Sequence, residues 1–181
     1  MPVDNHISGS VIFCDDVREE IGLRRTFIGV CGPYLAIPKL PTLLPKFCVV
    51  TTLICHHGRF PKSFAVRVTY GTDEIQKIEL TPKELLEWEN DVEPMLATEV
   101  DEFPENDPPK ARLTVELAIS PFVIRNEGRL AAHIDTDQGT VRVGSLQISV
   151  DPDIEGQSQE AGMSRPVISR SPMPQTVEHS E

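Results

Sequence analysis

Three stretches of the chain alternate apolar and polar positions with a period of two. In FAVRVTY, Phe64, Val66, Val68 and Tyr70 fall on one face, and Ala65, Arg67 and Thr69 on the other. RLTVELAI sets Leu113, Val115, Leu117 and Ile119 against Thr114, Glu116 and Ala118. GRLAAHID sets Leu130, Ala132 and Ile134 against Arg129, Ala131, His133 and Asp135. This is the pattern of half-buried antiparallel strands. Two further runs, SVIFC at 10–14 and FCVVTTLIC at 47–55, are apolar on both faces. They read as central strands, covered on one side by the core and on the other by a loop, a helix or a partner chain.

Turn residues separate these runs. Gly22 follows the first, and RRTFIGVCG, residues 24–32, reads as its hairpin partner. TDQGT at 136–140 joins GRLAAHID to TVRVGSLQISV as a short hairpin. In that last strand Val141 and Val143 are out of phase with Leu146, Ile148 and Val150, which predicts a bulge at Gly144–Ser145. Pro33, Pro38, Pro41 and Pro45 punctuate PYLAIPKLPTLLPKF. Proline donates nothing to a sheet ladder, so this segment is expected as an extended crossover or edge, with Leu40, Leu43 and Leu44 capping one end of the core. One helix is predicted: Thr81 at the N-cap, Pro82 at the first helical position and Glu84 closing a capping box. Leu85, Trp88 and Val92 then share its apolar face.

From Asp151 onward the chain is rich in Ser, Pro, Gln and Glu and has no periodicity. Such a segment buries too little apolar area to offset its ordering entropy and is expected to be disordered. The inventory is eight or nine short strands and one helix. It points to an all-β fold, an antiparallel β-sandwich, with a small barrel as the alternative. The expected organisation is a flexible N-terminus at 1–8, the sandwich at 9–150 and a tail at 151–181. Helices do not alternate with strands, which disfavours the α/β classes.

Charge narrows the partners. The chain carries a net charge of −11. Between Lys83 and Lys110 there is no basic residue, while acids run from Glu84 to Asp107. Such a surface repels phosphate backbones, so no nucleic-acid partner is expected. The acidic run reads as a solvated face, or as a docking surface for a cationic partner. No apolar run reaches the roughly 18–20 residues that span a bilayer, and MPVDNHISGS has neither a basic nor an apolar leader region. A cytoplasmic protein with no membrane contact is the expectation. Cys14, Cys31, Cys48 and Cys55 each lie in an apolar stretch and read as buried free thiols.

The candidate chemistry is sparse. Asp15 and Asp16 follow SVIFC directly. Neighbours on a strand point to opposite faces, so both carboxylates reach one metal only if the chain turns between them. Asp15, Asp16, Glu19 and Glu20 could ligate calcium from a tight loop. In the structural alternative an aspartate closes a turn and Arg18 pairs with a neighbouring carboxylate. Asp15, Asp16, Arg18 and Glu19 are the candidate ligand or partner contacts. CHHG at 55–58 places Cys55 and His57 on one strand face and His56 on the other, yet a metal centre needs three or four ligands. The phosphate-loop, dinucleotide, nucleophile-elbow and zincin motifs do not occur.

SVIFCDDVREEIG and RRTFIGVCG, followed by LPTLLPKF, resemble an uncharacterised bacterial and phage family with an N-terminal CDD-x-R-x-E-x-G motif. The pattern falls on Cys14, Asp15, Asp16, Arg18, Glu20, Gly22, Gly29 and Gly32. This chain has Leu23 where the family pattern has a second glycine, and Cys31 where an aromatic is common. The resemblance implies a cytosolic β-sandwich and carries over no activity. The reading that follows is a non-catalytic binding or scaffolding module without cofactor, acting through a protein partner or as a homo-oligomer. Its rival is a metal- or ligand-binding domain, extending to a hydrolase, built on Asp15/Asp16 and His56/His57.

Overall fold

Strand β6 (Phe47–His56) is buried on both faces along Phe47–Val50, and the rest of the molecule is arranged to cover it. A computed structural model describes residues 7–22, 24–56, 59–99 and 110–153, with backbone alone for 92–99. β6 lies between β1 (Ile7–Cys14) and β9 (Lys110–Ile119) in a three-stranded antiparallel sheet. A second sheet of five strands has the order β4 (Tyr34–Ile37), β12 (Gly139–Val150), β11 (Gly128–Thr136), β7 (Phe64–Tyr70), β8 (Asp73–Leu80). Their facing sides form one core, with Phe13, Val49, Leu53 and Leu117 from the first sheet meeting Val66, Leu130, Ile134, Leu146 and Ile148 from the second. Burying such side chains supplies about 1.5–3 kcal/mol each, the main force holding the two layers together.

The fold is all-β and sandwich-like with one short helix, as the alternation predicts. Among the described residues no sheet closes into a barrel. Two smaller elements seal the ends. A ribbon of β5 (Thr42–Leu44) and β10 (Phe122–Ile124) closes the end near Phe47, where Phe122 packs 5.4 Å from Phe47 and 6.2 Å from Tyr70. Helix α1 (Pro82–Glu99) closes the other end, laying Leu85 into the core and Trp88 edge-on to Phe60 at 5.2 Å. Its capping box forms as expected: Thr81 N–H donates to Glu84 Oε2 at 2.7 Å and Glu84 N–H to Thr81 Oγ1 at 3.3 Å. The Val92 side chain lies outside the described residues.

Several expectations are corrected. β4 runs parallel to β12, so the sandwich is not wholly antiparallel. The strand runs the same way as β12, with Tyr34 beside Gln147 and Ile37 beside Val150, and Pro33 and Pro38 confine it to four residues. The last-strand bulge falls on Val143, one residue before the expected position: Ala132 pairs with Gly144 and His133 with Arg142. Leu40 and Leu44 pack on the core, but Leu43 is 58% exposed. β1 begins at Ile7, inside the stretch expected to be flexible, because Ile7 is buried opposite Cys55. At the other boundary Asp151 N–H still donates to Ile37 O at 2.8 Å, and residues 154–181 lie outside the described residues.

Candidate functional site

The segment DVREE, expected as a charged turn, is strand β2 (Asp16–Glu20), and the partner of β3 (Arg24–Ile28) is β2, not β1. The chain bends at Asp15, whose N–H donates to Ile28 O at 3.0 Å, and the β2–β3 hairpin folds back over the outer face of the three-stranded sheet. Val17 and Phe27 are opposite each other in the hairpin and press onto Cys14, Cys48, Val50 and Ile12. That contact explains why SVIFC and FCVV are apolar on both faces. The hairpin tip, Ile21–Gly22, projects into solvent, with Ile21 98% exposed.

The four candidate contact residues are split by this geometry. Asp15 and Asp16 diverge at the bend. The Asp15 carboxylate packs over the backbone of Gly29. Asp16 accepts from Lys46 Nζ at 2.5 Å and from Arg18 Nε at 3.4 Å, and the Lys46 bond holds its carboxyl below the ordinary 3.8. Arg18 thus pairs with a neighbouring carboxylate, as the structural alternative supposed. Glu19 points the other way, towards Arg25 at 4.0 Å and a groove beneath the hairpin.

Asp15/Asp16 and His56 are not one site. Cys14 is paired with Cys48 and Ile7 with Cys55, so the aspartates and His56 stand at opposite ends of β6. At ~3.3 Å per residue the separation is about 26 Å. His57 lies outside the described residues. Cys55 is buried beside Ala111, with Phe60 and Trp88 packed against the pair. Among the described residues no group of three His, Cys, Asp or Glu side chains is placed to hold a metal ion. All four cysteines are free thiols, with Cys31 half-buried and the others buried.

One concavity has no signature in the alternation pattern. The hairpin covers the upper half of the sheet's outer face and stops. Below it a groove of about 640 Å³ runs towards helix α1. Its floor is Ile12, Val50, Thr52, Thr114 and Arg112, and Thr52 and Thr114 share a hydroxyl hydrogen bond of 3.2 Å. The hairpin contributes Glu19, Glu20, Arg24, Arg25 and Phe27, and Trp88 and Leu113 close the far end at the β9 edge. The arrangement offers three guanidinium forks, two aromatic rings and two hydroxyls around an open volume the size of a ligand site. The only sequence signals for it are the Arg24–Arg25 doublet and Arg112 at an outward position of an alternating strand.

Among the described residues no helix is long and apolar enough to cross a membrane. No family model, no curated protein and no solved structure matches the chain.

Proposed function

We propose that the chain is a non-catalytic binding module and that the groove under the β2–β3 hairpin is its contact surface. One observation carries this reading. The outer face of the three-stranded sheet is sealed by the hairpin over Cys14 and Cys48, but is left open from Val50 to Thr52, Thr114 and Arg112. A hairpin with only a structural role would cover the apolar part and need no arginines beyond it. Here Arg24, Arg25 and Arg112 converge from two elements far apart in sequence, and Trp88 adds an aromatic wall. Arginine and tryptophan are the side chains that most often anchor recognition surfaces.

The test is photo-crosslinking in a cell extract. A benzophenone side chain placed at Thr114, on the groove floor, should capture a discrete partner. The same group at Thr72, in the exposed β7–β8 turn, should not, and Arg112→Glu should abolish the Thr114 product. Equal capture from both positions, or none from Thr114, would remove this reading.

A further inference from the structure

Resting on that reading, we infer that the occupant of the groove is an acidic peptide segment in extended conformation, laid along the outer edge of β9 over Ala111–Ile119. Local charge favours an acidic occupant. The chain as a whole carries −11, and acids run without a basic residue from Glu84 to Asp107. A partner attracted by that overall field would be basic. The groove has the opposite sign: Arg24, Arg25 and Arg112 against Glu19 and Glu20, with Glu19 already engaged by Arg25 at 4.0 Å. A guanidinium fork matches a carboxylate in two parallel hydrogen bonds, so acidic side chains suit these three groups.

The shape of the sheet edge favours an extended one. β9 has a strand partner on one side only, β6, and is the terminal strand of its sheet among the described residues. It spans 10 residues, long for an edge. The open side of such an edge strand is a template for an added strand. The groove lies beside this edge: Arg112 and Thr114 face it from the outer side of β9, and Leu113 and Trp88 bound it at the strand's rim. An extended peptide alternates its side chains between two sides. One set would then meet Arg112 and the hairpin arginines. The other would rest on Trp88 and Leu113. The expected motif alternates acidic and apolar residues over about five to seven positions.

The experiment selects peptides from a random nonapeptide library displayed on phage, using the full chain as bait, and measures the selected peptides by fluorescence anisotropy. Selected sequences should be enriched in Asp and Glu at alternate positions. Affinity should fall about tenfold in Arg112→Glu and again in Arg24→Glu, through like-charge repulsion. Both side chains are exposed, and a thermal melt confirms that each variant folds. Arg142→Glu, on the five-stranded sheet, should leave binding unchanged. Methylating alternate backbone amides of a selected peptide should abolish binding if the edge of β9 is used. Acidic peptides that bind Arg112→Glu and Arg24→Glu as well as the native chain would overturn the inference, as would full binding by the methylated peptide. Selected peptides without acidic enrichment that still lose affinity in Arg112→Glu would overturn the charge class alone and leave the groove standing as a binding site. Failure to select any peptide would count against both.

Discussion

The carboxylate of Asp15 occupies the space above Gly29 that a Cβ atom would need, and Gly29 holds φ +63°. The glycine is therefore required twice, for its left-handed backbone and for its missing side chain. Gly22 has φ +82° but nothing within 4 Å of its missing Cβ. Gly29→Ala should cost about 2–3 kcal/mol, the left-handed penalty plus the displaced carboxylate, whereas Gly22→Ala should cost only about 1 kcal/mol. Urea melts of the two variants check this. Equal losses would mean that the Asp15 side chain moves aside freely. Asp15→Ala should also reduce the cost of Gly29→Ala, since it removes the obstacle.

The thiols should react in an order set by burial. Burial pushes Cys14 and Cys55 up to about 11, with Cys48 and Cys31 adding to the effect at Cys14 and Glu89 at Cys55. Burial also raises Cys48. Cys31 is raised by burial and by Asp15, but it is half-buried where the others are sealed. The thiolate is the reactive form, and it must also be reached. Alkylation at about pH 8 followed by peptide mass spectrometry should label Cys31 first, and the other three only as the chain unfolds. Early labelling of Cys14 would show that the β2–β3 hairpin opens readily.

What was legible in the sequence was whatever has a local cause. β7, β9 and β11 announce themselves because one face of each is wet and the other dry, and the Thr81–Glu84 box forms within a single turn of chain. The apolar run at 47–50 also showed that a second cover was needed. The identity of that cover was not legible, because Val17 and Phe27 reach Cys48 and Val50 only when the chain reverses at Asp15. Asp16 reads locally as a partner for nearby backbone or for Arg18. Its strongest bond is to Lys46, thirty residues on, which no short-range pattern encodes. The groove is wholly tertiary: Arg24 and Arg25 arrive from the hairpin, Arg112 from β9 and Trp88 from α1. The parallel course of β4 was hidden for a related reason, since alternation reports which face is buried and not which way a strand runs.

Stability should depend on His133 near neutral pH. On the outer face of the five-stranded sheet His133 is directly opposite Arg67 on β7 and Arg142 on β12. Burial first, then these two cations, hold its pKa below 6.5, with Asp135 pulling the other way. The unfolded chain therefore takes up a proton near pH 6.5 that the folded chain resists, and stability falls as pH drops through 6.5 towards the folded value. Asp135 acts in a lower window. It accepts from Arg67 at 2.9 and 3.1 Å and from Thr140 at 2.7 Å, which holds it below 3.8. Its contribution is present above 3.8 and is lost as pH falls below that. The drop in Tm between about pH 7.5 and 5.5 should accordingly be smaller in His133→Gln than in the native chain. Identical drops would show that His133 is not the titrating group.

The two layers approach most closely where β1 crosses β12, and two glycines without positive φ make that approach possible. A Cβ on Gly144 would lie 2.5 Å from Val11 Cγ1, and one on Gly9 would lie 2.5 Å from Val143 Cγ1 and 3.0 Å from the backbone oxygen of Thr52. The obstacles differ in kind. Val11 is a half-buried side chain that a smaller residue can replace, while the Thr52 carbonyl belongs to the β1–β6 ladder and cannot withdraw without breaking it. Gly144→Ala should cost about 1–3 kcal/mol by overpacking, and Gly9→Ala should lie at or above the top of that range. A double-mutant cycle separates the mechanisms. Val11→Ala vacates the volume that a methyl group on Gly144 would fill, so Val11→Ala with Gly144→Ala should be clearly less destabilised than the two single losses added together. Val11→Ala should give no such relief to Gly9→Ala, whose obstacles are the Val143 side chain and the Thr52 carbonyl. Strict additivity in the first pair would mean that the sheets separate as rigid bodies instead of repacking at the crossing.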